Sequence, residues 1–214
     1  MRRLRIWDLP TRLFHWALAV CVAGMLITAQ SDDWLPWHVR LGVVTLSLVI
    51  FRVVWGLIGG GWSRFGQFVP SLGRLKDYVA GRYVSPAGHN PLGALSVLGI
   101  LVLLFLQVCT GMMMQDDDIG FTGALYPFVP NAWADLAHDY HEEVGQPLIY
   151  AWIALHVLAI IWHVRRHNPK LVHAMVTGDQ EVGEAVQAST DTAKTRLLAL
   201  ALWLIILIAL FSLV

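Results

Sequence analysis

Five apolar runs, each long enough to cross a lipid bilayer as a helix, constrain this chain more than any other feature. A hydrocarbon core of about 30 Å needs about 20 helical residues. The runs lie near residues 13–30, 37–58, 91–114, 144–164 and 197–214. Hydrophobic residues make up 57% of the chain and charged residues only 14%, a composition that excludes an ordinary soluble domain. The sequence therefore predicts an all-α membrane protein with five transmembrane helices.

The first run follows the basic segment MRRLR, as the apolar part of a signal peptide does. The residues before Gln30 make a poor small-x-small cleavage site, however, and no soluble domain follows them. We therefore expect this run to be retained as a membrane span.

Charge is sorted between the segments that the runs separate. Segments 31–37 and 115–150 hold nine acidic residues and no Lys or Arg. Basic residues collect at the N-terminus and in the 59–90 and 164–196 loops. Because cytoplasmic loops carry the excess of Lys and Arg, the pattern predicts a multi-pass membrane protein. Its N-terminus would be cytoplasmic and its C-terminus would lie outside.

Four histidines lie in or beside the runs, where ionisable residues are costly and mark functional sites. His15 lies one turn into the first run, and His156 lies in the inner part of the fourth. His38 opens the second run, and His141 precedes the fourth, both toward the outside. His141 and His156 are separated by about 22 Å along a helix. The four therefore form an outer pair and an inner pair, each joining an early run to the fourth.

Paired imidazoles at two depths favour two non-covalent haems b, because facing helices of a bundle build cofactor sites and axial imidazoles hold b-type haem iron. His38 and His141 would hold the outer haem, and His15 and His156 the inner one. The sequence has no C-x-x-C-H motif for covalent attachment. The spacing of His141 and His156 leaves about 60° beyond four whole turns, which a kink or a helix start at Pro147 would absorb.

Other histidines compete for these roles or lie elsewhere. His163, two turns after His156, is a rival for the inner pair, and His138, one turn before His141, is a rival for the outer pair. Hydrogen bonding between helices is the structural alternative for any single intramembrane histidine. Loop positions predict that the remaining histidines are solvated, namely His89, His167 and His173.

Two arginines accompany the pairs. Arg52 follows His38 by close to four helical turns, so both lie on one face of the second helix. This places the guanidinium near the inner pair, where a haem propionate would neutralise it. Arg40 would do the same at the outer haem. Snorkelling of Arg52 to the cytoplasmic interface is the alternative.

Three segments together resemble the prokaryotic cytochrome b561 family, which includes the cytochrome b subunits of nickel-iron hydrogenases. They are WDLPTRLFHW, WHVRLGVVTLSLVIFRVVWG and HEEVGQPLIYAWIALHVLAIIWH, and the likeness covers residues 5–170. The combination is specific. It joins a His-Trp near the start of the first run, a His opening the second with Arg-x-x-Trp-Gly at its end, and two histidines in the fourth.

The resemblance implies a four-helix transmembrane bundle that holds two haems and exchanges electrons with the quinone pool. The axial ligands it implies are His15, His38, His141 and His156. Residues 1–170 would form this di-haem domain, 171–196 a cytoplasmic linker, and 197–214 an additional C-terminal helix that departs from the four-helix members. Polar candidates for contacting a bound quinone are Gln107, Thr110 and Tyr150, although each would equally hydrogen-bond a neighbour.

The favoured function is electron transfer between quinone or quinol and a periplasmic carrier such as a c-type cytochrome, a cationic protein that the acidic outer segments would attract. Two alternatives within the family stay open: a membrane anchor for a hydrogenase-like enzyme, and oxidation of superoxide coupled to quinone. Metal transport through His38, His138 and His141 is an alternative from another class, although no run contains a carboxylate. No phosphate loop or nucleophile–base pair indicates a hydrolase. Membrane lipid is a further expected partner, another redox protein could replace the cytochrome, and no nucleic acid partner is expected.

Overall fold

Long apolar helices dominate the computed structural model, which describes residues 2–166, 168–183 and 185–213. In chain order the helices are α1 (Leu9–Thr28), α2 (Leu35–Ile58), α3 (Phe65–Phe68), α4 (Leu72–Val79), α5 (Pro91–Met113), α6 (Asn131–Asp139), α7 (Gln146–Arg166), α8 (Leu171–Thr177) and α9 (Ala193–Phe211). Helices α1, α2, α5, α7 and α9 match the five predicted runs to within a few residues and are long and apolar enough to cross a membrane. The prediction of an all-α membrane protein with five spans is confirmed.

Local sequence signals set where two of these helices begin. Asp8 caps α1, because its Oδ1 accepts a hydrogen bond from the Thr11 backbone N–H at 2.9 Å. Asn90 caps α5 in the same way, accepting from the Gly93 N–H at 2.7 Å. Pro91 then occupies the first helical position, where its missing N–H costs nothing. Each cap satisfies one of the backbone N–H groups that a helix start leaves unpaired.

A π-helical turn at Tyr140–Gly145 joins α6 to α7, so the fourth run is part of one helical segment, Asn131–Arg166. Of the two alternatives offered for Pro147, a helix start is therefore wrong, because the chain is already helical before this residue. The wider π turn relieves the clash that a proline ring makes with the carbonyl four residues earlier. Each residue of a π turn also advances the helix by a smaller angle than the about 100° of an α-helix residue. The smaller angle reduces the excess of about 60° that an α-helix would leave between His141 and His156.

Short strands form where hydropathy predicted only linkers and loops. They are β1 (Arg2–Arg5), β2 (Gln115–Asp116), β3 (Phe121–Thr122) and β4 (Asp179–Val182), paired antiparallel as β1 with β4 and β2 with β3. The segment 171–196 thus contains α8 and β4 and is more than a tether. Arg5 Nε lies 2.8 Å from Asp179 Oδ1 across the pair. The hydrogen bond from Lys170, at 2.6 Å, lowers the pKa of Glu181.

The chain divides into two compact units, and each long helix contributes to both. The first unit contains the described residues of Met1–Trp16, Phe51–Gly99 and His156–Leu202, and the second those of Ala17–Ile50, Ile100–Leu155 and Trp203–Val214. A small apolar core packs the residues that follow β1 in the first unit against α8 and β4; it comprises Ile6, Trp7, Ala87, Ala174, Val182 and Val186. In the second unit, Trp203 of α9 donates its Nε1–H to Ser47 Oγ at 3.1 Å. Helix α9, the last of the five long helices, therefore makes a polar contact with α2.

A buried polar cluster centred on Asp8 joins the start of α1 to the end of α2 within the first unit. Asp8 has no exposed surface. Its Oδ2 accepts hydrogen bonds from Trp55 Nε1 at 3.0 Å and from Ser63 Oγ at 2.8 Å. Arg52 donates to the Ser63 carbonyl at 3.1 Å. Burial of a carboxylate is tolerated only where donors satisfy it in this way.

Replacing Asp8 with Ala is therefore expected to lower the free energy of unfolding by on the order of 3 kcal/mol, because the donors of Trp55 and Ser63 lose their buried acceptor. Thermal unfolding of the detergent-solubilised protein, followed by circular dichroism, measures the effect. Asp33→Ala is the matched control, since the side chain of Asp33 is exposed. Equal melting temperatures for the two variants would contradict the role given to Asp8.

Candidate functional site

In the second unit, His38 of α2 and His141 of the π turn form a pair, with ring centroids 6.3 Å apart and ring planes at 77°. His141 Nδ1 lies 2.8 Å from the carbonyl oxygen of Gln107. His38 Nδ1 lies 3.2 Å from the carbonyl oxygen of Met25. A carbonyl acceptor assigns the proton to Nδ1 and leaves the lone pair on Nε2, the tautomer that suits metal ligation. Both rings are therefore oriented to bind a metal through Nε2.

In the first unit, His15 of α1 and His156 of α7 form a second pair, with ring centroids 6.4 Å apart and ring planes at 46°. His15 Nδ1 is buried and has no hydrogen-bond partner among the residues that the structure describes. Trp16 packs edge-on against the His15 ring at 5.0 Å. An unsatisfied imidazole nitrogen in apolar surroundings is costly unless a ligand completes it. This pair therefore also indicates a binding site.

The geometry of both pairs fits a metal held between two imidazoles. About 2 Å from metal to nitrogen and about 1.1 Å from nitrogen to ring centre, on each side, place two centroids roughly 6 Å apart. The observed separations are 6.3 and 6.4 Å. A Cβ built on Gly42, one turn after His38, would meet no heavy atom of the described chain within 4 Å, its own helix backbone aside. The residues present therefore fit haem, a flat group with two axial ligands.

The rival histidines make other contacts. His163 packs against Trp162, with ring centroids 5.8 Å apart. His138 groups with Asp116 and Glu142, and the ligand atoms of all three lie within 4.8 Å of one another. In the described part of the chain, His138 does not join the outer pair in such a group. The three-histidine site of the metal-transport alternative is therefore not assembled.

Arg52 is buried, with 2% of its surface exposed, so the alternative of snorkelling to water is wrong. Its guanidinium lies over the rings of Phe65 and Phe68, at 4.9 and 5.8 Å from their centroids. It donates to the Ser63 carbonyl, whereas Asp8 accepts from other groups. Among the described residues, no carboxylate oxygen lies within ion-pair distance of Arg52. Its charge thus remains available for an anionic group of a ligand.

The other predicted polar residues lie in the second unit. Arg40 is exposed and stacks on Trp37, 5.1 Å from the ring centroid. The Thr110 hydroxyl donates to carbonyl oxygens of its own helix, and the Gln107 amide donates to a main-chain carbonyl at 2.8 Å. Tyr150 keeps 45% of its surface exposed. Of the three quinone candidates, Gln107 and Thr110 therefore have protein partners.

The prediction that His89 is solvated is wrong. Its ring packs between Trp7 at 4.6 Å and Phe68 at 4.7 Å, and burial lowers its pKa to about 3. Both neighbours are distant in sequence, so the loop position alone suggested solvent. His173 is exposed, as predicted, although it lies in α8. His167 falls outside the described residues.

Comparison with known proteins adds independent information. The family model described as prokaryotic cytochrome b561 matches residues 6–178. The chain is 20% identical over 210 residues to the "Probable Ni/Fe-hydrogenase 1 B-type cytochrome subunit" of Escherichia coli strain K12, and equally to that of strain O157:H7. These alignments cover 81% of this chain and 88% of each relative. No solved structure matches the chain significantly.

Proposed function

Because the chain belongs to the prokaryotic cytochrome b561 family, we propose that this b-type cytochrome holds two haems and passes electrons between the quinone pool and a periplasmic redox partner. The observation that carries the proposal is the presence of two histidine pairs, with ring separations of 6.3 and 6.4 Å, one in each unit. Bound haem b supplies an iron that takes up and returns one electron at a time. The histidine pairs of this chain would hold that iron in apolar surroundings.

The four histidines would act as axial ligands, His38 with His141 and His15 with His156. In the first of these pairs, the carbonyl oxygens of Met25 and Gln107 accept hydrogen bonds from the Nδ1–H groups. This fixes both ring orientations and increases electron donation from the ligating nitrogen. Stronger donation favours the oxidised iron, so these hydrogen bonds would lower the potential of that centre.

Arg52 and Arg40 would neutralise haem propionates in the first and second units, respectively. The proposal is supported most strongly for Arg52, whose buried guanidinium has no carboxylate within ion-pair distance in the described part of the chain. A buried cation is stable only when an anion or dipoles compensate it. The Ser63 carbonyl and two aromatic rings supply part of that compensation, and the buried Asp8 carboxylate attracts the guanidinium from beyond ion-pair distance.

The charge pattern supports an inner-membrane orientation with the N-terminus in the cytoplasm and the C-terminus in the periplasm. The nine acids of segments 31–37 and 115–150 would then face the periplasm, and eight of the nine side chains are exposed. Such a surface attracts a cationic protein and repels a small anion such as superoxide. A c-type cytochrome is therefore the partner we favour at the outer haem.

A second candidate function follows from the relatives. Both are named as hydrogenase cytochrome subunits, and the alignments cover 88% of their length. In that case this chain would serve as the membrane subunit of a hydrogenase-like enzyme, with a permanently bound partner. The two functions differ in whether electrons reach a freely diffusing cytochrome.

The ligand assignment predicts two non-covalent haems b per chain, counted by the pyridine haemochrome assay. His38→Ala or His141→Ala is expected to remove one haem, and His15→Ala or His156→Ala the other. The reason is that a haem held by one remaining imidazole loses half of its axial ligation. A redox titration of each variant identifies which centre remains.

His173→Ala is the control for these variants, because His173 is an exposed histidine of α8. Retention of both haems in His156→Ala would transfer the ligand role to His163. Purified protein that contains no haem would end the proposal.

Arg52→Leu is expected to lower the midpoint potential of the haem in the first unit by on the order of tens of millivolts, because loss of a nearby positive charge disfavours the reduced iron. Arg52→Lys keeps the charge and serves as the matched control. Potentiometric titration in detergent follows both haems at once. An unchanged titration in Arg52→Leu would exclude a propionate contact at this arginine.

The partner assignment predicts electron transfer that is steered by charge. Right-side-out membrane vesicles are used in stopped flow in two ways. Haems reduced by quinol are mixed with a basic cytochrome c, and oxidised haems are mixed with superoxide. Oxidation of the haems by the cytochrome should slow steeply as the salt concentration rises, because the Debye length falls from about 30 Å at 0.01 M to about 10 Å at 0.1 M. Reaction with the cytochrome only in inside-out vesicles would contradict the orientation. Rapid reduction of the haems by superoxide would contradict the choice of partner. Absence of electron transfer with both reagents would favour the hydrogenase-like function.

A further inference from the structure

One residue of α5, Gln107, contacts His141 at two points. Its main-chain carbonyl oxygen lies 2.8 Å from His141 Nδ1. Its side-chain Nε2 donates to the carbonyl oxygen of His141 at 2.8 Å. The first contact orients the ring, and the second holds the backbone from which the ring projects. Together they leave the imidazole little freedom to rotate or shift.

The Gln107 side chain lies in a setting that does not favour an amide. It is buried, with 8% of its surface exposed, in the apolar helix α5. Its Oε1 has no hydrogen-bond partner among the described residues. An amide with an unsatisfied buried oxygen costs stability that an apolar side chain of similar size would not. The bond to His141 is thus the specific contact that this glutamine provides.

Gly145, the last residue of the π turn, completes the contact. A methyl group built on Gly145 would overlap Gln107 Oε1. Only glycine allows the backbone to approach the amide this closely. Turns of this kind occur frequently at functional sites, where they reposition a side chain. The glutamine and the glycine therefore fit each other as a unit around His141.

We propose that Gln107 and Gly145 form a clamp that positions His141 as a ligand. The inference rests on the proposed function, since it takes His141 as an axial ligand of the haem in the second unit. Helix α5 carries no histidine, so its contribution to the site is positioning. Loosening the clamp weakens the bond from Nδ1–H to the Gln107 carbonyl. A weaker bond makes the imidazole a poorer electron donor, which favours reduced iron.

The test uses the full-length holoprotein with Gln107→Leu, Gln107→Ala, Gly145→Ala and the double variant Gln107→Ala/Gly145→Ala. Readouts are the two midpoint potentials and the EPR spectrum of the oxidised protein. Gln107→Leu and Gly145→Ala should each raise the potential of the second-unit haem, shift its g-values and reduce haem affinity about 10–100-fold. The first-unit haem should be unchanged. Gly66→Ala is the control, because a Cβ there meets open space in α3.

The double variant measures whether the two residues act together. If the clamp is real, Gly145→Ala adds much less once Gln107 is Ala, because the overlapping amide is gone and only Tyr140 Cε1 remains close, 3.0 Å from the built Cβ. Fully additive shifts would overturn the proposal. This comparison also tests whether the clamp exists if Gln107→Leu does not fold. His141→Ala distinguishes a failure of the ligand assignment from a failure of the clamp. Retention of both haems in it would remove the ligand assignment, and the clamp with it. Loss of one haem in it, together with unchanged spectra and potentials in Gln107→Leu, would overturn the clamp alone.

Discussion

An imidazole within a membrane helix needs partners for both of its nitrogens, and this requirement organises each unit of the molecule. In the second unit, main-chain carbonyls accept hydrogen bonds from the Nδ1–H groups of His38 and His141, so the Nε2 atoms are left for a ligand. In the first unit, His15 Nδ1 is buried without a partner among the described residues, beside His156. A metal between the rings of each pair would satisfy nitrogens that the protein itself does not.

The first unit places its charged groups by the same principle. The carboxylate of Asp8 is fully buried, and three donors satisfy it, from the start of α1, the end of α2 and the turn that follows. Ser63 links this cluster to Arg52, because its hydroxyl donates to Asp8 and its carbonyl accepts from Arg52. The residues that fix the helix ends therefore also hold a buried cation in the unit that contains His15 and His156.

The sequence predicted the five spans and the two histidine pairs because hydropathy, depth and charge asymmetry are properties of single segments. The sequence did not predict features that depend on contacts between distant segments. The pairing of β1 with β4, the packing of His89 against Trp7, and the contact of Gln107 with the π turn join parts of the chain that no periodicity links. One signal pointed to the last of these. Gln107 is one of the few polar residues in an apolar run, and Gly145 directly precedes the Gln-Pro of α7.

The central claim is that each unit holds one haem between two histidines. Low-temperature EPR of the oxidised, purified protein, with the spins counted against the protein concentration, tests this most directly. Ligation by two imidazoles gives low-spin ferric iron, so we predict two low-spin signals that integrate to two spins per chain. A high-spin ferric signal of comparable intensity, or a single low-spin signal integrating to one spin, would contradict the account.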